Sequence, residues 1–172
     1  MTSRPVSSPA PRASALLRLR GEEGSSLVET GMAMLIFLPQ LFGAIQYSLV
    51  FYTYHDVTDA ARQAVRWAAV RGATSCTNTP GLYDCRATSD EIQSYVRGLG
   101  YPGLVPSSIQ VTTNWLTASS TPTSWSACSS SPCNAPGNQV QITVAYAYPL
   151  SIPYWKSTSL NINSTSAMVI AQ

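Results

Sequence analysis

Between Thr30 and Tyr54 the chain runs for 25 residues without a charged side chain. About 20 mostly apolar helical residues cross a bilayer core, so this run is long enough to span one. Together with Leu27 and Val28 just before it, its apolar side chains, among them Leu35, Ile36, Leu41, Ile45 and Phe51, surround a helix nearly all round. Glu29 stands at its head, where a carboxylate is expensive to bury and invites a functional explanation. Arg18 and Arg20 precede it, which places the N-terminal side in the cytoplasm. A secretory signal would have a shorter apolar core, about 7–15 residues, followed by a small-residue cleavage site. Here the run is longer and merges with an Ala-rich amphipathic stretch.

The flanks divide the chain. Residues 1–24 are rich in Pro, Ser and Ala, carry four of the ten basic residues, and show no sustained apolar periodicity. Such a leader buries too little surface to offset its ordering entropy, so it reads as disordered. From Ser25 on, six basic and six acidic residues balance. The net charge of +2 therefore belongs to the leader, and no downstream basic cluster with interleaved aromatics suggests nucleic-acid binding.

Residues 25–54 are read as a transmembrane spine helix, with Pro39 predicting a kink because it lacks an amide donor and crowds the carbonyl four residues back. Gly31 and Gly43 offer small surfaces to a neighbouring helix, and Tyr47, Tyr52 and Tyr54 suit an interfacial belt. Residues 55–72 continue the helix in amphipathic form. Val57, Ala60, Ala61, Ala64, Val65, Ala68 and Ala69 recur at three- and four-residue steps. Asp59 and Arg62 are spaced to pair on the opposite, solvated face. Gly72 is a natural stop.

The remainder, 73–172, reads as a small α+β head. Thr88-Ser89-Asp90-Glu91 is a capping box that opens a short helix ending at Gly98 or Gly100. Alternating apolar residues predict strands over 108–116, 139–148 and 159–171, hence a roughly three-stranded antiparallel sheet with one face on the spine. Pro149 and Pro153 fall in the connection before the last strand. Residues 117–137 read as a long surface loop.

All four cysteines follow the anchor, on the side where disulfides persist. Cys76, Cys85, Cys128 and Cys133 allow three pairings. The short-loop pairs Cys76–Cys85 and Cys128–Cys133 are favoured because each lies in one Gly/Pro/Ser/Thr-rich loop. Zinc competes weakly, since neither spacing is C-x-x-C and the single histidine, His55, is distant in sequence. No nucleophile–base constellation, phosphate loop or metal set stands out, so neither catalysis nor a cofactor is expected. Trp67, Trp115, Trp125 and Trp155 read as core or interface anchors, the loop residues Trp125 and Trp155 being the better candidates for partner contacts. Asn163-Ser164-Thr165 fits the glycosylation sequon.

The run Arg20-Gly-Glu-Glu-Gly24-Ser-Ser-Leu-Val-Glu29, then Leu38-Pro39, then Asp56 through Ala60-Ala61-Arg62 to Ala68, resembles the TadE-like pseudopilins of the tight-adherence pilus systems. The closing Val140-x-Ile142-x-Val144 strand and the Ala167-Met168-Val169 end are similar as well. Thr30 stands where that family commonly has Phe or Tyr. The resemblance implies a minor pilin or pseudopilin, cut between Gly24 and Ser25 by a prepilin peptidase on the cytoplasmic face. It would be held in the inner membrane beside an assembly platform and other pilin subunits, then carried to the cell surface for pilus assembly and adhesion. Cutting would give Ser25 a free α-amine one helical turn from Glu29, a register device for packing apolar helices. The alternative is a single-pass envelope protein with an extracytoplasmic interaction domain that never polymerises.

Overall fold

The computed structural model describes residues 14–78, 81, 85–119, 124–151 and 156–171, with side chains from Gly24 onward. One helix, α1 (Ser14–Ala69), is followed by α2 (Ser75–Asn78), α3 (Ser89–Gly98), a 3-10 turn (Pro106–Ser108), and four strands. The strands are β1 (Ile109–Ala118), β2 (Trp125–Ala127), β3 (Gln139–Leu150) and β4 (Thr158–Val169). The chain divides into two compact units, residues 1–44 and 45–172.

The first unit is α1 up to Ala44. The helix begins at Ser14, inside the stretch expected to be disordered. Ala15, Leu16, Leu17 and Leu19 are good helix formers there. Once a long helix is nucleated, each added residue costs little, so composition alone understates the helix's reach. Pro39 lies within α1.

The second unit is the head together with the C-terminal part of α1. Its sheet has the order β2-β1-β3-β4, all neighbours antiparallel. β3 is central along most of its length, and its inner residues Val140, Ile142, Val144 and Tyr146 are buried. Between them Gln141, Thr143 and Ala145 turn to the other face, the period of two that a one-sided sheet requires. Val57, Ala60, Ala61, Ala64, Val65 and Ala68 of α1 close over that inner face. Four of these six carry only a methyl group, which lets the helix backbone lie close to the sheet and pack densely. Ile92 and Val96 of α3 complete the core, with Ile109, Ile162 and Ile170.

Local chemistry sets the ends. At α3 the Thr88 side chain accepts from the Glu91 amide, and the Glu91 carboxylate accepts from the Thr88 amide at 2.8 Å, a complete capping box. Gly100, just past α3, takes φ 67°, which a residue with a Cβ adopts at a cost. The orphan carbonyl of Ala69 at the end of α1 accepts from the amide of Ala171, so the chain's last described turn ties back to the helix.

Two expectations for the head need correction. The sheet has four strands, not three: Trp125–Ala127 pairs with Leu116–Ala118 inside the segment expected to be loop. All three β2 residues are exposed, so no apolar alternation marks them, and backbone pairing at the sheet edge makes the strand. Pro149 lies within β3 rather than in the connection after it. β1 pairs with β3 only as far as Tyr146, so beyond that point one side of β3 has no ladder to break.

Candidate assembly helix and loop cluster

From Gly24 to Phe42 every residue of α1 is exposed. Leu27 is 75% and Leu35 74% accessible. The helix from Gly24 to Ala69 is long and apolar enough to cross a membrane, and none of its apolar 18-residue stretch is buried within the chain. Gly24, Ser25 and Glu29 all lie in it, with Glu29 exposed among apolar neighbours. A Cβ built on Gly24, Gly31 or Gly43 meets nothing within 4 Å. The small surfaces read from the sequence are thus open on the single chain.

The helix changes character where the head begins. Gln46 donates from Nε2 to the carbonyl of Ser151 at 2.9 Å, and the Tyr148 hydroxyl donates to Gln46 Oε1 at 3.3 Å. The β3–β4 connection therefore meets α1 well before Tyr54. The only signal for this contact in the sequence is faint: one of two glutamines in the uncharged run.

Further along, Asp59 Oδ2 accepts from the Tyr101 hydroxyl at 2.7 Å and from Gln63 Nε2 at 2.6 Å, while Gln63 also donates to the Tyr101 oxygen at 3.0 Å. The hydrogen bond from Tyr101, then that from Gln63, holds the Asp59 carboxyl below its ordinary range. Burial first, and the Asp59 bond second, push the Tyr101 hydroxyl well above the ordinary tyrosine value. Asp56, one turn earlier, is raised chiefly by burial and next by the Asp59 charge. Its Oδ2 is buried without a hydrogen-bond partner.

At the end of the head where α1 stops, the two cysteine loops meet. Cys76 is bonded to Cys85 with Cα atoms 5.0 Å apart, and Cys128 to Cys133 at 5.7 Å. The Ala73 amide donates to the Asn134 carbonyl at 2.9 Å, joining one loop to the other. Ser75 is buried and donates to the Gly72 carbonyl, and the Cys85 carbonyl also lies against its hydroxyl. Arg86 donates to the Ala73 carbonyl at 3.1 Å. A cleft of about 340 Å³ lies here, bordered by Arg86, Trp115, Pro132 and Asn134.

The aromatic residues sort by position. Trp67 stacks on Tyr95 at 5.0 Å between ring centres, and the Arg71 guanidinium sits 4.4 Å from the Trp67 ring. Trp115 packs against the core, whereas Trp125 is exposed. Trp155 lies outside the described residues. His55 meets Phe51 edge-on at 4.5 Å. Among the described residues, no three His, Cys, Asp or Glu side chains gather as a metal site would need.

No curated protein and no solved structure matches the chain. Residues 24–66, from the glycine junction through most of the Ala/Val stripe, match the model of the family described as TadE-like protein, and over this quarter of its length the chain is similar to a TadE-like pilin of the Tad pilus system.

Proposed function

We propose that the protein is a minor pilin or pseudopilin of a Tad-type pilus, processed between Gly24 and Ser25 and assembled through its spine. The observation that carries this reading is the coincidence of two boundaries. The TadE-like match begins at Gly24, and the apolar helix that follows it is exposed through Phe42. A helix left this bare needs lipid, like helices, or both in turn, which is the life of a pilin before and after assembly.

The chemistry of the junction supports it. Glycine costs about 1 kcal/mol in a helix interior relative to alanine, so Gly24 is a weak point at which a peptidase can open α1. Cutting there starts the mature helix at Ser25, with a cationic α-amine near neutral pH. Glu29 then lies one turn away, close enough to the positive end of the shortened helix to be stabilised by it. The same carboxylate on a neighbouring subunit can meet the amine, which fixes the register of two apolar rods. Prepilin peptidase, the inner-membrane assembly platform and the other pilins are the partners this role requires. The cysteine-bearing segments 73–87 and 117–137, the second including the edge strand β2, are the parts of the head displayed for surface contact and adhesion.

N-terminal sequencing and intact mass of the membrane-extracted protein test the processing step. A chain that begins at Ser25 is expected. A chain that begins at Met1 in cells with a working peptidase contradicts the reading and leaves a plain anchored protein.

A further inference from the structure

We propose that the solvent face of α1 between Asp56 and Arg66 docks on a second copy of this chain, shifted by about 10 Å along the helix, with the acids of one copy against the arginines of the next. The inference rests on the pilin reading, in which neighbouring helices run parallel. Charge order is the first argument. The signs on this stretch are segregated: Asp56 and Asp59 come first, Arg62 and Arg66 after them. Like charges therefore stand three and four residues apart, a spacing at which they weaken a helix. A face that serves solvation alone gains from alternating the signs instead. The helix dipole accounts for Arg66, which lies in the last turn of α1. It does not account for the acids, which lie far from the helix start at Ser14. Val57, Ala60, Ala61, Ala64 and Ala68 close on the sheet, so the charged face looks away from it.

The groups on this face are open to a partner. Asp59, Arg62 and Arg66 are exposed. Asp59 Oδ2 is taken by Tyr101 and Gln63, while its Oδ1 has no hydrogen-bond partner among the described residues. Those two bonds fix the carboxylate, which leaves it preorganised to accept a guanidinium. Neither Arg62 nor Arg66 makes a hydrogen bond or a salt bridge among the described residues. By contrast, Arg71 lies over the Trp67 ring, and Arg86 and Arg97 donate to the Ala73 and Ile109 carbonyls. A hollow of about 500 Å³, bordered by Tyr54, Asp56, Thr58 and Asp59, lies beside the acids and has room for a guanidinium.

Helix geometry sets the shift. Asp56 to Arg62 spans six residues and Asp59 to Arg66 seven, about 9 and 10.5 Å at 1.5 Å per residue. One displacement of about 10 Å between parallel helices brings both pairs together. In register, acids would face acids and arginines would face arginines, which repel. At about 100° per residue, the two acids and the two arginines are offset by about 70° around the helix. A copy can then offer its acids to one neighbour and its arginines to another, a heterologous contact that continues as an open series.

Cross-linking between two differently tagged copies of the full chain, made in one cell, tests the shift. All four cysteines are disulfide-bonded, so an introduced cysteine is the sole free thiol. With Asp59→Cys in one copy and Arg66→Cys in the other, a short bis-maleimide is expected to join them in membranes and sheared filaments. The 59–59 and 66–66 combinations should stay unlinked. Arg66→Glu should lower the filament-bound fraction about five-fold, the scale of an exposed ion pair turned repulsive. Adding Asp59→Arg to Arg66→Glu should restore it, which a merely structural loss would not do. Links at 59–59 or 66–66 as abundant as those at 59–66 overturn the shift. A doubly substituted chain that keeps the near-ultraviolet circular dichroism of the parent and fails to recover overturns the charge pairing. No link in any combination, from a chain trimmed to Ser25 and present in filaments, overturns the contact and leaves the pilin reading standing. A parent chain that is untrimmed and absent from filaments means that the pilin reading itself has failed.

Discussion

Tyr101 gives its phenolic hydrogen to Asp59 across 42 residues of sequence, tying the segment after α3 to the helix at 2.7 Å. Both groups respond in the direction the bond favours: the carboxyl is held low and the hydroxyl is held high. Asp59 is exposed, so solvent screens the pair, and its worth is that of a single charge-assisted bond, about 1 kcal/mol. Tyr101→Phe should lower the stability of the head by that amount without changing its fold. Thermal unfolding of the detergent-solubilised chain, followed by near-ultraviolet circular dichroism, measures it.

The same pair sets a pH window. The folded state keeps Asp59 ionised to lower pH than the unfolded state does, so its contribution is present above the ordinary carboxyl value of 3.8 and lost as pH falls below it. The folded state keeps Tyr101 protonated to higher pH than the unfolded state does. Its contribution is therefore complete below the ordinary tyrosine value of 10.0 and lost as pH rises beyond it. Stability should be flat with respect to this pair between the two and decline on either side. Tyr101→Phe should flatten the alkaline decline and weaken the acid one. An unchanged alkaline limb in that variant contradicts the pairing.

Burial separates the head's core from the bare spine, and mutation should show it. Ile142, fully buried on the central strand beneath the Ala/Val stripe, should cost about 2–5 kcal/mol when cut to alanine. Leu35→Ala, on the bare spine, should leave head unfolding within about 0.5 kcal/mol of the parent. Urea titration of both variants in one detergent checks the contrast. A comparable loss in both would mean that the spine is part of the head's core.

The loops depend on their staples. Cys76–Cys85 closes a loop with a sequence separation of 9, for which chain entropy gives about 2–3 kcal/mol. Replacing both cysteines by alanine should lower the unfolding free energy by that amount and open the 73–87 segment to protease before the sheet. The sheet core should persist, since Val140, Ile142 and Val144 make no use of the disulfide. Limited proteolysis with mass mapping reads the order of cleavage.

The parts of this architecture that were legible in the sequence are those whose signal is local. The β3 alternation from Val140 to Tyr146, the Thr88–Glu91 capping box and the Ala/Val stripe of α1 each carry a period or a spacing within one element. β2 was hidden because its three exposed residues follow backbone pairing rather than burial. The contacts of Gln46 with the β3–β4 connection, and of Asp59 with Tyr101, were hidden for another reason. Each joins elements far apart in the chain, and no spacing rule reports such a pair. Asp59 was expected to look to Arg62, three residues on, but its Oδ2 is taken by the Tyr101 hydroxyl and the Gln63 amide. The candidate site is legible at Gly24 and Glu29 as sequence, while the openness around Gly31 and Gly43 needed coordinates.

Glu29 and Gly24 should fail at different steps, which makes their comparison the sharpest test of the assembly reading. A bulky side chain beside the scissile bond blocks the cut, so Gly24→Leu should leave the protein full-length in the membrane and absent from sheared surface material. Glu29→Ala leaves the junction intact, so the chain should be trimmed to Ser25 and inserted normally. Its new α-amine then lacks the carboxylate that fixes helix register, and an unpaired charge among apolar helices is costly. The trimmed variant should accumulate in the membrane and be lost from the filament fraction. Glu29→Gln keeps the size and the hydrogen-bonding capacity without the charge, and should recover little incorporation if the charge is what matters. Immunoblots of membrane and sheared fractions, with intact masses of each, distinguish the three variants. Normal incorporation of trimmed Glu29→Ala would remove Glu29 from the assembly mechanism.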